Sequence, residues 1–212
     1  MDKFITVYLS KIFAINKGGK PLSGRFHVQN IEQGPVCRAG FAPYITLSLC
    51  MEELRTVVES DFKEILKLNE GEVQQTSPMN LDRLRSLVAM SAYCMVVTVQ
   101  EQVVAFLIAV HEGAPYENDN YKWFASRFPH FLYVDRVVVD SQFSGRRIGS
   151  KLYNSLFAFA RAEGIEKITC EYNIDPPNPA SRRFHDKFGF KQIGTQWVAG
   201  GTKQVSLQAA ET

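Results

Sequence analysis

The chain has 212 residues, 45% of them hydrophobic and 22% charged, which is enough to bury a core and allows one or two domains. Lys and Arg number 24 against 22 Asp and Glu, and this net charge of +2 lacks the basic excess of proteins that bind nucleic-acid phosphates. No apolar run approaches the roughly 18 to 20 residues of a membrane span. We therefore expect neither a nucleic acid nor a membrane as partner.

The first 50 residues differ from the rest of the chain in charge and texture. They carry a net charge of +4, which leaves −2 for residues 51–212. Their eight glycines and prolines follow no helical or strand-like period, and they contain no motif. The apolar start is too short for a secretory signal, so a cytoplasmic location is the default. We expect a poorly ordered N-terminal extension over residues 1–50 and a domain over residues 51–212, with Met51 as an alternative start.

From Met51 onward, hydrophobic periodicity predicts regular elements in the order βααββ, a loop, then βαβαβ. The predicted strands are "EELRTVV", 94–99, 103–110, Leu132–Val139, 167–172 and "KQVSL". The predicted helices begin after Ser60 or Asp61 and after Asn80, and two more span 148–163 and 179–188. The stretch 111–130 includes the aromatic residues Tyr116, Tyr121, Trp123 and Phe124, which fits an ordered loop over a site and a plain surface insertion equally well.

The turn between the strand Leu132–Val139 and the next helix has the features of an anion site. A helix entered directly from a strand leaves its first backbone amides unpaired at the positive end of the helix dipole. Gly145 and Gly149 would allow a diphosphate to approach the backbone, and Arg146 and Arg147 add positive charge. The alternative is that the glycines serve only the geometry of the turn.

This strand, turn and helix resemble the acetyl-CoA-binding segment of the GNAT superfamily of N-acetyltransferases. The family pattern Gln/Arg-x-x-Gly-x-Gly/Ala stands here as Gln142-Phe143-Ser144-Gly145-Arg146-Arg147, with Arg147 in place of the last Gly or Ala. The resemblance implies an α/β fold with a mixed, mostly antiparallel sheet, a splayed central parallel strand pair and flanking helices. It also implies acetyl-CoA contacts at Val137, Val138, Val139, Gln142, Gly145, Arg146, Arg147, Ile148, Gly149 and Ser150.

A second motif, "NPASRRFHDKFGF", strengthens the resemblance. Asn178, Ser181 and Phe184 stand where the family contacts the pantetheine and phosphate region, and the run is similar to an uncharacterised bacterial branch. Asn178 also suits a helix cap, so a purely structural role explains part of the same pattern. His185 stands where many members carry the Tyr that protonates the departing thiolate, which implies a general acid there; packing alone is the alternative.

The general base is sought among charged residues in apolar strands. Asp135 and Glu171 are the candidates, and a salt bridge to Arg136 or Arg183 is the alternative for each. Cys170 alternates with Glu171 and is predicted to lie in the core. The four cysteines and the other three histidines have no ligand spacing, so no disulfide framework and no metal site are predicted.

These features predict an N-acetyltransferase that uses acetyl-CoA as cosubstrate and a small-molecule or peptide amine as acceptor. The acceptor pocket is expected among residues 72–80, the aromatic insertion with Glu117 and Asp119, and the final hairpin. The alternatives are a catalytically silent acyl-CoA-binding or regulatory module and, from the same helix terminus, a nucleotide-binding domain. A homodimer is left open.

Overall fold

The computed structural model describes residues 52–212, so the predictions for residues 1–50 and for a start at Met51 lie outside the described residues. The strands are β1 Glu52–Thr56, β2 Ser91–Val99, β3 Gln102–His111, β4 Leu132–Val139, β5 Lys167–Asp175, β6 Lys191–Val198 and β7 Lys203–Glu211. The α-helices are α1 Phe62–Gly71, α2 Leu81–Met90, α3 Asp119–Ala125, α4 Ile148–Ala162 and α5 Pro179–Asp186.

The seven described strands form one sheet in the order β1-β2-β3-β4-β5-β7-β6. Every neighbouring pair is antiparallel except β4 and β5, which run parallel. This parallel pair joins at only two positions, Leu132 with Ile168 and Tyr133 with Thr169, and beyond them β4 has no partner on that side among the strands of residues 52–212. The expected α/β fold with a splayed central parallel pair is confirmed.

Helices cover both faces of the sheet, and each face has its own hydrophobic core. On one face α4 buries Ile148, Leu152 and Leu156 against β2, β3 and β4, as its four-residue spacing predicts. On the other face α1, α2 and the aromatic side chains of α3 pack against the same strands. Cys170 lies in the α4 core and is 2% exposed, which confirms its assignment to the interior.

The structure contains two elements that the sequence pattern does not predict, α3 and β6. The insertion contains α3, seven residues long and capped by Asn118, which accepts from the Tyr121 amide at 3.0 Å. The other is β6, an edge strand whose sequence "KQIGTQWV" is mostly polar and exposed and so lacks a strong apolar alternation. The predicted β2–β3 hairpin is present, with Gln100 and Glu101 at positive φ in its turn.

A bulge in β4 sets which residues face the site. The register with β3 passes from Ile108–Arg136 to Ala109–Val134, so Asp135 is an extra residue without a partner on β3. Because a bulge breaks the two-residue alternation, Asp135 and Arg136 lie side by side, and the Arg136 Nε donates to the Asp135 Oδ2 at 2.6 Å. Beyond the bulge the strand runs on along the open gap toward α4.

Candidate active site

The gap between β4 and β5 opens into a cavity of about 1140 Å³. One half is bordered by the end of β4, the turn before α4, and α5. The other half is bordered by β5, residues 72–78, the start of α3 and the β6–β7 connection. The structure thus brings together the three segments that the sequence assigned to an acceptor pocket, next to the turn assigned to acetyl-CoA.

The first turn of α4 borders this cavity, and its backbone amides have no side-chain cap among residues 52–212. Its N-cap residue, Arg147, has φ of 62° and provides no side-chain cap, and the first helical bond runs from the Lys151 amide to the Arg147 carbonyl at 3.0 Å. The first turn holds no acidic residue, and Ile148, Gly149 and Ser150 line the cavity. Uncapped amides, the helix dipole and a nearby guanidinium suit a diphosphate.

Eleven of the thirteen residues that the resemblance implies for acetyl-CoA line the cavity: Val137, Val138, Val139, Gly145, Arg147, Ile148, Gly149, Ser150, Asn178, Ser181 and Phe184. The other two, Gln142 and Arg146, lie outside the lining. The backbone N–H of Gln142 donates to Asp140 Oδ1 at 2.9 Å, and the Arg146 guanidinium lies over the Phe143 ring at 4.9 Å. These contacts orient the turn from its outer side.

Helix α5 is held by its cap and tied to the opposite rim of the cavity. Asn178 Oδ1 accepts from the Ser181 amide at 3.0 Å, and its Nδ2 donates to Gln75 Oε1 at 2.7 Å. Phe184 packs so closely on α4 that a Cβ built on Gly149 would lie 3.2 Å from its ring. Asn178 and Phe184 thus make structural contacts and also line the cavity, where the resemblance implies that they contact acetyl-CoA.

His185 is buried, 4% exposed, and both of its ring nitrogens have protein partners. Nδ1 lies 2.8 Å from the Ser181 carbonyl, which can only accept, so Nδ1 carries the hydrogen. Nε2 lies 2.8 Å from the Tyr153 hydroxyl. Burial lowers the pKa of His185, and at neutral pH the imidazole is therefore neutral and accepts from Tyr153.

Glu171, on β5, has one of its two carboxyl oxygens bound by other side chains of residues 52–212. Its Oε1 accepts from Asn120 Nδ2 and from the Tyr133 hydroxyl, each at 2.9 Å. Its Oε2 is buried and has no hydrogen-bond partner among residues 52–212. Burial raises the pKa of Glu171 to about 7, against the opposing effect of these two donors. This carboxyl group therefore exchanges a proton near neutral pH.

Asp135 has the opposite character. The Tyr116 hydroxyl donates to its Oδ1 and Arg136 to its Oδ2, and only 2% of its side chain is exposed, so pairing and burial hold this carboxylate in place. The salt bridge considered for the two carboxylates is present here. The Arg136 guanidinium is held in turn, because it also donates to Asn69 Oδ1 at 2.7 Å and to Ser77 Oγ at 3.2 Å. This buried network fixes residues 72–78 at the rim of the cavity.

Sequence reasoning missed the residues that hold the two titratable groups. None of the three residues Tyr153, Tyr133 and Asn120 belongs to a motif. The aromatic character of the two tyrosines indicates only packing, and Asn120 carries no local signal. Their contacts with His185 and Glu171 span 32 residues from Tyr153 and 51 residues from Asn120, and a single sequence does not encode such contacts locally.

Within residues 52–212, no group of three or more His, Cys, Asp or Glu side chains is arranged to hold a metal ion. None of the helices in that same part of the chain has the length and apolar content to cross a bilayer.

Comparisons with known proteins agree with this geometry. Residues 59–190 match the model of the acetyltransferase (GNAT) family. A 56-residue stretch is 47% identical to phosphinothricin N-acetyltransferase of Streptomyces coelicolor; it makes up 26% of this chain and 32% of that protein. The chain thus spans about a third of the length of this curated relative.

Solved structures share the fold at low sequence identity. Ard1 from Thermoplasma volcanium superposes with a TM-score of 0.63 at 16% identity, covering 76% of this chain and 97% of that chain. A ribosomal-protein-alanine N-acetyltransferase from Brucella melitensis gives 0.60 at 20% identity, covering 76% and 99%. Arabidopsis thaliana Naa50, in complex with a bisubstrate analogue, CoA-Ac-MVNAL, gives 0.59 at 15%, also covering 76% and 99%.

Proposed function

Because the chain belongs to the acetyltransferase (GNAT) family, we propose that it transfers an acetyl group from acetyl-CoA to a primary amine by direct attack. The observation that carries the proposal is that one cavity is lined both by the uncapped first turn of α4 and by Glu171, whose Oε2 has no hydrogen-bond partner among residues 52–212. The first feature suits the diphosphate of a CoA thioester. The second suits the deprotonation of an attacking amine.

The α4 turn and the splayed strands are proposed to hold acetyl-CoA, which supplies the activated acetyl group. The amides of Ile148, Gly149 and Ser150 face the diphosphate, with Arg147 beside it. The backbone of Val137–Val139 lies beyond the last β4–β5 pair, so its free edge can bind the pantetheine amides. A backbone amide there also stabilises the oxyanion of the tetrahedral intermediate, an interaction worth about 3 kcal/mol.

Glu171 is proposed as the general base. The attacking amine must be neutral, and a carboxylate with a pKa of about 7 accepts its proton near physiological pH. Oε2 is the acceptor atom, because Oε1 is already bound by Asn120 and Tyr133. Asp135, the other candidate, is assigned to structure because its buried carboxylate is paired with Arg136 and bound by the Tyr116 hydroxyl.

His185 is proposed to supply the proton for the departing thiolate, with Tyr153 as the path. Its Nδ1 stays on the Ser181 carbonyl, so a proton leaves through Nε2, and Nε2 faces only the Tyr153 hydroxyl. Because burial keeps the resting imidazole neutral, Nε2 must first take up a proton from solvent. As the Tyr153 O–H bond then breaks and an S–H bond forms, the phenol oxygen takes this Nε2 proton, and the imidazole returns to its neutral resting form.

The acceptor is proposed to be a cationic amine on a small molecule or a peptide. Four carboxylates border the acceptor half of the cavity, Glu72, Glu117, Asp119 and Glu171, and one of them, Glu117, is paired with Lys122. Of the cations at the same rim, Arg136 is bound by Asp135, Asn69 and Ser77, and Lys203 donates to the Gln74 carbonyl at 2.8 Å. A negatively charged rim attracts a protonated amine before Glu171 removes its proton.

The test is a thiol-release assay with acetyl-CoA across an amine library, paired with calorimetry of acetyl-CoA binding. We expect turnover on at least one amine, and we expect Glu171→Gln to lower kcat by about 10²- to 10⁴-fold while acetyl-CoA affinity stays within a few fold. Tight binding with no turnover on any amine would instead support the catalytically silent module. Equal competition by ATP would support a nucleotide-binding domain.

A further inference from the structure

Two amide side chains form a short chain that ends on the reactive carboxyl group. Gln196 Nε2, from the edge strand β6, donates to Asn120 Oδ1 at 3.1 Å. Asn120, from α3, in turn donates through Nδ2 to Glu171 Oε1 at 2.9 Å. Asn120, in the middle of the chain, is buried, 7% exposed, and Gln196 and Glu171 on either side are half-buried.

Gln196 fixes which end of the Asn120 amide meets the carboxylate. An amide presents an acceptor on one side and a donor on the other. Because the Gln196 donor occupies Oδ1, the Nδ2 group must point toward Glu171. If the amide turned over, an oxygen would face the carboxylate and repel it.

The two donors also decide which carboxylate oxygen reacts. Asn120 and the fully buried Tyr133 both bind Oε1, and Oε2 keeps its lone pairs. Both donors stabilise the ionised form of Glu171 and oppose the desolvation that raises its pKa. The other titratable or charged groups around Glu171 are Asp135 and Arg136 on β4, Tyr153 on α4 and Cys170 on β5.

We propose that Asn120 is a positioning residue for the acetyl-transfer reaction and that Gln196 orients it, so that Glu171 presents Oε2 in ionised form to the acceptor amine. The proposal rests on the proposed function of Glu171. It gives the aromatic insertion and the edge strand β6 a part in catalysis, since each contributes one member of the chain Gln196–Asn120–Glu171.

The experiment compares Asn120→Ala, Gln196→Ala and the unaltered protein by kcat/KM as a function of pH. Loss of one charge-assisted hydrogen bond is expected to move the acid limb up by about one pH unit in Asn120→Ala. The rate at pH 6 then falls about tenfold and recovers toward the unaltered value at pH 9. Gln196→Ala shifts the limb in the same direction by less, because Asn120 is retained.

Asn154→Ala, an exposed asparagine on α4, is the matched control and leaves the profile unchanged. A parallel loss of rate at every pH, with the limb in place, would show that Asn120 serves only the fold and would overturn the proposal. An unchanged profile in Asn120→Ala would overturn it as well.

A second readout does not depend on turnover. The pKa of Glu171 is followed by carbon NMR of its labelled carboxyl group, assigned by its loss in Glu171→Gln. An upward shift in Asn120→Ala supports the contact, and an unshifted Glu171 pKa contradicts it. If Glu171→Gln keeps full activity, the base assignment fails by itself, and the NMR titration still decides whether Asn120 controls the carboxyl group.

Discussion

At the scale of single residues, partners distinguish two carboxylates that look alike in the sequence. Asp135 and Glu171 are both acidic residues in apolar strands of the parallel pair. The β4 bulge places Arg136 beside Asp135, and Tyr116 donates to the second oxygen of Asp135. The charge of this carboxylate is therefore balanced by Arg136, and its position is fixed. Glu171 receives neutral donors on one oxygen only, which leaves it ionisable and basic.

This difference predicts a pH-dependent stability. The folded pKa of Glu171, about 7, lies above its ordinary value of 4.5, so the folded state binds the proton more strongly than the unfolded state does. The stability from this group is fully present below about pH 4.5 and is lost as the pH rises to about 7. This loss of stability is absent in Glu171→Gln. The melting temperature of the variant minus that of the unaltered protein should therefore rise from pH 5 to pH 7 and stay constant above pH 7. A difference that does not change with pH would contradict the raised pKa.

The contact between His185 and Tyr153 predicts that the two residues act as one unit. Tyr153→Phe should lower kcat at least tenfold with acetyl-CoA affinity nearly unchanged, because the path for the proton is lost. His185→Ala should cost a similar factor, and the double variant should cost no more than the larger single effect. Tyr93→Phe, a buried tyrosine of the same core that does not line the cavity, is the control. Additive losses would show that the two side chains act separately.

At the scale of elements, the turn into α4 keeps a glycine-like conformation at an arginine. Arg147 stands where the family pattern has Gly or Ala, and its φ of 62° lies in the left-handed region that glycine adopts without strain. Arg147 thus holds a backbone conformation that glycine adopts more readily, and it adds a positive charge at this position of the turn. Gly145, two residues earlier, has φ of +79° and open space around a built Cβ, so any substitution there is opposed by backbone strain alone.

Arg147→Gly separates shape from charge in this turn. We expect a free energy of unfolding within about 1 kcal/mol of the unaltered protein, because relief of left-handed strain offsets the greater freedom of glycine in the unfolded chain. Affinity for CoA should fall several-fold at low salt, and the deficit should shrink as salt screens the lost charge. Arg146→Gly, whose side chain lies over Phe143, should weaken binding less. An equal loss of CoA affinity in both variants would show that Arg147 contributes no more to binding than Arg146.

At the scale of the whole molecule, the sequence predicts well what depends on neighbouring residues. The strand Leu132–Val139, the start of α4 and the capped start of α5 follow from local spacing and were predicted with their observed bounds. The weakly patterned strand β6 was missed, as were the long-range contacts of Asn120 and Tyr153. These depend on how the sheet brings distant segments together, and single-chain periodicity carries no information on such pairs.

The division of the chain leads to a last prediction. The described residues 52–212 include both hydrophobic cores and every cavity-lining residue discussed above. A protein that starts at Met51 should therefore bind acetyl-CoA with the affinity of the full chain and retain the acid limb set by Glu171. Calorimetry and pH–rate profiles of the two proteins, measured side by side, are the check. A shorter chain that folds, shown by a cooperative melting transition, and yet binds acetyl-CoA at least tenfold more weakly would assign residues 1–50 a part in the site. Matching affinity and pH profile would make that basic segment dispensable for acetyl transfer, and its charge would then serve something other than the CoA phosphates.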